Sequence, residues 1–149
     1  MKVLRYICLM LIFILTGAAC ASLNTNKVLL PDDLIYRNRL LLIFTPRQGL
    51  PIYQREEEKL VNNVEGLASR DIQVYRLFPR KGLNPENRKL NSAQVFSLRN
   101  KYEVGEDQFL NIVVDKDGEA KLRKEGYLSP QSLFQFIDSL YVNDSIFVK

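Results

Sequence analysis

Five successive apolar residues, Leu40 to Phe44, stand between Asn38-Arg39 and Thr45-Pro46. An uninterrupted run of that length, closed by a Pro-containing turn, predicts a strand buried on both faces. The following loop reaches Pro51, whose fixed φ and missing N–H suit the first position of a helix. From Ile52 to Ser69, Tyr53, Leu60, Val61, Val64, Leu67 and Ala68 recur at three- and four-residue spacing, which predicts one amphipathic helix. Asp71–Phe78 is β-branched and aromatic and reads as a second strand. Pro79–Asn91, with its Pro, Gly and Asn residues, predicts a loop. Asn91 or Ser92 then caps a helix to about Tyr102 that turns Val95, Phe96, Leu98 and Tyr102 inward. Phe109–Asp115 is a third strand, Lys116-Asp117-Gly118 a hairpin turn, and Glu119–Arg123 a fourth strand. Ser129-Pro130 opens a last helix facing the core with Leu133, Phe134, Phe136, Ile137, Leu140 and Tyr141. Val28–Tyr36 is irregular or a single helical turn.

The order is β-α-β-α-β-β-α. Two β-α units followed by a hairpin and a helix close into an α/β domain with a central mixed sheet and helices on both faces. That is the thioredoxin-like architecture, here assigned to residues 34–149. The chain has 149 residues, 46% of them hydrophobic, enough for one domain with its own core.

The first residues are of another kind. Met1–Arg5 is basic, Tyr6–Leu15 almost wholly apolar, and Thr16–Ser22 small, the pattern of an export signal over residues 1–21. Thr16-Gly17-Ala18-Ala19-Cys20 resembles a lipobox, which would make Cys20 a lipid-bearing N-terminus. Ala19-Cys20-Ala21 equally satisfies ordinary signal cleavage after Ala21, and an uncleaved anchor is the third option. Residues 22–33 read as a tether. The expected location is therefore outside the cytoplasm: periplasmic or anchored at the outer membrane, or secreted, with membrane contact only through the N-terminus. Cys8 and Cys20 are the chain's two cysteines, so the exported body has no disulfide and no thiol chemistry of its own. Lys2 and Arg5 supply half of the net charge of +4, so the basic balance does not argue for nucleic acid.

Several segments together resemble a known family: Asn38–Phe44 with Gln54, Gly66-Leu67 before Arg70-Asp71-Ile72, Asp117-Gly118 before Lys121-Leu122-Arg123, and Leu133–Asp138. They are similar to a domain of unknown function found in exported bacterial proteins and in the C-terminal part of sushi-repeat-containing extracellular proteins of animals. The resemblance spans Leu34 to Leu140; Ser139-Leu140-Tyr141-Val142 departs from the family pattern. It implies a thioredoxin-like fold and brings no catalytic residues, cofactor or metal. Redox-active thioredoxins, which the fold resembles, carry C-x-x-C after the first core strand. Here Gly49 and Ile52 fall at those positions, and Asp107–Asn111 lacks the proline that faces the thiols.

The chain has no histidine, which removes Ser-His-Asp and Cys-His catalysis and His-containing zinc sites. Around Asp115-Lys116-Asp117-Gly118 a calcium loop would place Val113 first and Lys124 twelfth, so the pattern fails. Glu56-Glu57-Glu58 reads as a solvated helix face, since consecutive helical residues point in different directions. Arg39 and Arg70 are expected in structural ion pairs with Asp71, Asp117 or Asp138. Arg80, Lys81, Arg88 and Lys89, in a basic stretch from Arg76 to Lys101, are the candidates for binding an anionic glycan, lipid surface or envelope protein. The expected function is a non-redox binding domain at the cell envelope. The alternatives are a carboxylate-based enzyme and a structural or adhesion protein.

Overall fold

The computed structural model describes residues 31–146, with side chains as far as Leu140. The leader, Cys20, most of the tether and the Tyr141 side chain lie outside the described residues. In chain order the elements are α1 (Pro31–Leu34), β1 (Arg39–Phe44), α2 (Pro51–Val61), α3 (Val64–Ala68), β2 (Ile72–Leu77), β3 (Gly82–Leu83), β4 (Lys89–Leu90), α4 (Ser92–Lys101), β5 (Leu110–Val114), β6 (Ala120–Glu125) and α5 (Pro130–Ile146).

One six-stranded sheet runs β4-β3-β2-β1-β5-β6. β1 pairs in parallel with β2, Arg39 opposite Ile72 through Phe44 opposite Leu77, and antiparallel with β5 on its other side. Every residue of β1 is buried, as a central strand covered on both faces requires. Leu40, Leu42 and Phe44 face a core with Tyr75, Leu77, Val95 and Leu98, closed by α1 and α4. Leu41 and Ile43 face the opposite core with Tyr53, Leu60, Leu67, Leu133 and Ile137, closed by α2, α3 and α5. This is the predicted mixed sheet with helices on both faces.

The differences from the sequence reading are local. The helix expected over Ile52–Ser69 breaks at Asn62-Asn63. Asn62 caps α2 with its N–H on the carbonyls of Glu58 and Leu60, and the Asn63 amide donates to Lys59 O at 2.8 Å. Asparagine side chains compete with the backbone for such bonds, so an adjacent pair ends a helix readily. The break leaves Val61 and Val64 exposed. The Pro79–Asn91 loop contains the β3–β4 hairpin, whose turn is organised by Asn84 Oδ1 accepting from the N–H groups of Glu86 and Arg88. The expected cap is present: Asn91 and Gln94 form a reciprocal capping box at the start of α4. Phe96, expected in the core, is 63% exposed. At the β5–β6 turn Gly118 has φ +85°, and Ile35 packs where a side chain would otherwise lie.

Candidate functional site

β1 and β2 are parallel, so their carboxyl ends emerge on the same edge of the sheet, where α/β folds place their ligands. β1 runs into the Thr45–Leu50 loop and β2 into the Phe78–Lys81 turn. Thr45 is tied at both ends of its residue: its N–H donates to Leu77 O at 3.0 Å and its hydroxyl to Arg47 O at 3.1 Å. The turn is closed by Phe78 N–H on Lys81 O at 2.9 Å.

Beneath both lies Arg99 of α4, only 4% exposed. Its Nη2 donates to Thr45 O and Leu77 O at 3.3 and 3.2 Å, and its Nη1 donates to Gly105 O. The guanidinium sits 5.4 Å from the Phe44 ring centroid. Burial pushes its pKa down, and the Glu106 charge partly opposes that shift. A basic stretch read as one group from the sequence thus hides an internal cation that fastens two strand ends to a helix.

Above it is a depression of about 440 Å³ lined by Pro46, Arg47, Gln48, Phe78, Arg80 and Lys81. Phe78 packs edge-on against Tyr53 of α2, ring centroids 5.7 Å apart. Lys81 reaches Gln48 Oε1 at 3.4 Å and lies 5.6 Å from the Phe78 ring. Arg47, Arg80 and Lys81 have no carboxylate partner among the described residues. On the far side of Pro79-Arg80 a second depression, about 460 Å³, is lined by Ala93, Phe96 and Glu106.

The four residues singled out from the sequence are therefore divided. Arg80 and Lys81 sit at the β2–β3 turn beside Arg47. Arg88 and Lys89 are at the other end of the hairpin, Lys89 in β4 opposite Leu83 and Arg88 in the turn before it, where Arg88 Nε pairs with Glu86 at 3.1 Å. Arg47 was missed by the sequence reading. The available signal was its place in the loop after the first core strand.

A second correction concerns the acidic triplet. Glu58 is exposed, and Glu57 grips Arg76 Nε with both oxygens at 2.7 and 2.8 Å. Glu56 is 0% exposed. Its Oε2 accepts the Leu128 N–H at 2.8 Å and the Asn111 amide at 3.2 Å, and Asn111 also donates to Gly126 O at 2.9 Å. Burial raises its carboxyl from 4.5 to about 7, against the lowering effect of these two donors. Nearby Tyr53 is pushed up to about 12, first by burial and then by the Glu57 charge, which outweighs Arg76. Position 56 lies three residues after Tyr53 and four before Leu60, within the apolar stripe, and that spacing was the overlooked signal. Glu56 joins α2 to β5 and the β6–α5 loop.

The ion pairs are structural. Arg70 holds Asp138 through two bonds of 2.8 and 2.7 Å, as expected, whereas Arg39 pairs with Asp115 at 2.8 Å. Among the described residues no three His, Cys, Asp or Glu side chains gather as a cation site, and no helix is long and apolar enough to cross a membrane.

Residues 30–145 match the model of a family described as Domain of unknown function (DUF4174). The chain belongs to that family. It is 28% identical over 132 residues to the sushi-repeat-containing protein SRPX of Mus musculus, a match that takes in 83% of this chain and 28% of the mouse protein. The chain thus spans little more than a quarter of that relative's length. Its backbone is similar to a reduced 2-Cys peroxiredoxin of Plasmodium vivax, with a TM-score of 0.61 and 14% identity over 77% of this chain and 84% of the other. Thioredoxin peroxidase I of Plasmodium yoelii superposes with a TM-score of 0.56 and 17% identity, covering 77% and 79% of the two chains. At these identities the likeness establishes the thioredoxin-like fold alone.

Proposed function

We propose that this protein is an exported, non-redox thioredoxin-like domain that binds an anionic partner at the cell envelope through the carboxyl ends of β1 and β2. The observation that carries the reading is the gathering of Arg47, Arg80 and Lys81 on one depression with no carboxylate paired to them among the described residues. Three cations on a backbone made rigid by Arg99 attract negative charge at a fixed spacing, the requirement for a charge-dependent binding surface. An acidic glycan fits an open depression of this kind. The non-redox part rests on the absence of cysteine beyond Cys20. In the exported chain Cys20 is the lipid-attachment residue, so labelled palmitate is expected to be incorporated and to be lost in Cys20→Ala.

A carboxylate-based enzyme would draw on Glu56, whose pKa near 7 suits acid–base work. Its complete burial and its ties to Leu128 and Asn111 suit a structural role instead.

The test is retention of the leaderless protein on immobilised heparin across a salt gradient. The wild type is expected to elute well after the Arg47→Glu/Arg80→Glu variant, whereas Lys89→Glu should change little. Equal elution of all three refutes the reading. Insulin reduction by the leaderless protein should be absent; clear activity would overturn its non-redox part.

A further inference from the structure

Among the described residues the outer edge of β2 is covered over only its last two positions. β3 pairs with Arg76 and Leu77 and with no earlier residue of the strand. Arg39 N–H donates to Asp71 O and Thr45 N–H to Leu77 O, which fixes the alternation along β2. Odd-numbered residues turn their backbone groups to β1, so Ile72 and Val74 turn theirs outward. On that side these two residues make no hydrogen bond among the described residues. The ladder stops because the chain leaves β3 at Asn84, whose side chain folds the turn back on itself, and because Pro85 has no N–H to offer Val74.

Beside this bare edge runs a groove of about 240 Å³ lined by Val64, Ala68, Val74, Arg76 and Pro85. Val64 is 60% exposed, and Val61, at the end of α2, is 56% exposed. Both belong to the apolar stripe that periodicity assigned to the core. The groove's one cation, Arg76, is already neutralised by the bidentate Glu57. Its lining is otherwise uncharged. The surface therefore asks for backbone hydrogen bonds and apolar contact, and has no net charge to satisfy.

We propose that the Ile72–Tyr75 stretch of β2 is a docking slot for an extended, uncharged peptide segment of a partner protein. The segment adds a strand to the sheet in line with β3. It pairs with the N–H and C=O groups of Ile72 and Val74 and lays an apolar side chain against Val64 and Ala68. Two outward residues separated by one inward residue match the period-two spacing of an extended backbone and no other regular conformation. β3 closes one end of the slot and the Ser69–Asp71 turn the other, which limits the docked stretch to about four residues, roughly 13 Å at ~3.3 Å per residue. This surface is separate from the Arg47–Arg80–Lys81 depression, and its binding is expected to be insensitive to salt.

The probe is a displayed library of random short peptides, selected on the leaderless wild-type domain and counter-selected on Val64→Glu, a substitution at an exposed position. Selected peptides should show apolar residues at alternate positions, bind equally at low and high salt, and slow amide hydrogen exchange at Ile72 and Val74 at least tenfold. They should not protect those amides in Val64→Glu or Ala68→Glu. Three results overturn the proposal: no sequence enriched over the counter-selection, no protection at Ile72 and Val74 by saturating peptide, or protection already present without peptide. Protection without peptide that rises with protein concentration would assign the slot to a second copy of the chain. Concentration-independent protection that disappears on deleting residues 22–30 would assign it to the protein's own upstream segment.

Discussion

Glu56 offers the sharpest test of the physical reading, because its ionisation dominates one pH window. Burial raises its carboxyl from an ordinary 4.5 to about 7. The folded protein therefore holds a proton that the unfolded chain has lost throughout the interval between those values. Stability from this group is fully present below pH 4.5, falls as pH rises through 7, and is constant above. At about 1.4 kcal/mol per pH unit, the loss is about 3 kcal/mol in all, most of it between pH 5 and 8. The chain has no histidine. Lys116, Lys121 and Arg70 hold Asp71, Asp117 and Asp138 below the usual carboxylate range, so stability from those exposed pairs is present above about pH 4 and lost only on acidification below it. Urea unfolding of the leaderless protein, followed by circular dichroism at pH 5, 6, 7 and 8, measures the effect. The wild type is expected to lose roughly 2–3 kcal/mol over the series. Glu56→Gln keeps an acceptor for Leu128 and Asn111 without the charge. It should match the wild type near pH 5 and exceed it by a similar amount at pH 8. A wild-type curve flat from pH 5 to 8, or a Glu56→Gln curve with the same slope, refutes the reasoning.

Three further substitutions probe packing and hydrogen bonds by the same unfolding measurement. Gly66→Ala would normally strengthen a helix, but a Cβ there lies 2.5 Å from the Phe134 ring. A net loss of about 1–3 kcal/mol is expected, largely recovered when Phe134→Leu is added. Arg99→Met keeps the aliphatic stem but removes the guanidinium donors to the carbonyls of Thr45, Leu77 and Gly105, although Leu77 O keeps the Thr45 N–H and Gly105 O the Gln108 N–H; about 3 kcal/mol should be lost, and less in Arg99→Lys. Asn91→Ala removes the capping box of α4 and should cost about 1 kcal/mol at every pH from 5 to 8.

The strands were legible because burial on two faces leaves a direct trace: Leu40–Phe44 is apolar at every position, and every position is buried. Helix phases were legible for the same reason, except where polarity and burial parted. Glu56 and Arg99 both occupy inward phases, Glu56 between Tyr53 and Leu60 and Arg99 between Val95 and Tyr102. Charge alone suggested the surface, whereas partners from distant segments, Asn111 and Leu128 for one and Thr45, Leu77 and Gly105 for the other, permit burial. Those partners are fixed only once the sheet has formed, so local spacing does not reveal them. Val61, Val64 and Phe96 err the other way, being apolar residues left at the surface. The division of the basic stretch was equally hidden, because the β3–β4 hairpin that separates Arg80 from Arg88 is two residues deep on each side and carries almost no periodic signal.

The two buried ionisable groups, Arg99 and Glu56, also explain how the β1–α2 loop keeps its shape. Arg99 acts from the α4 face and grips Thr45 O, where β1 gives way to the loop. Glu56 acts from the opposite face, in the second turn of α2, and ties that helix to β5 and to the start of α5. The loop between them thus hangs from two buried, hydrogen-bonded side chains, the Arg99 guanidinium and the Glu56 carboxyl, on opposite sides of the sheet. Such groups are costly to desolvate, and the hydrogen bonds they make to Thr45, Leu77, Gly105, Leu128 and Asn111 fix their positions. A segment fixed at both ends in this way presents Arg47 and Gln48 with little ordering left to occur on binding, the property a recognition surface gains from a rigid scaffold. Weakening either anchor should therefore reduce heparin retention by loosening Arg47 relative to Arg80 and Lys81, even though neither Glu56 nor Arg99 lines the depression.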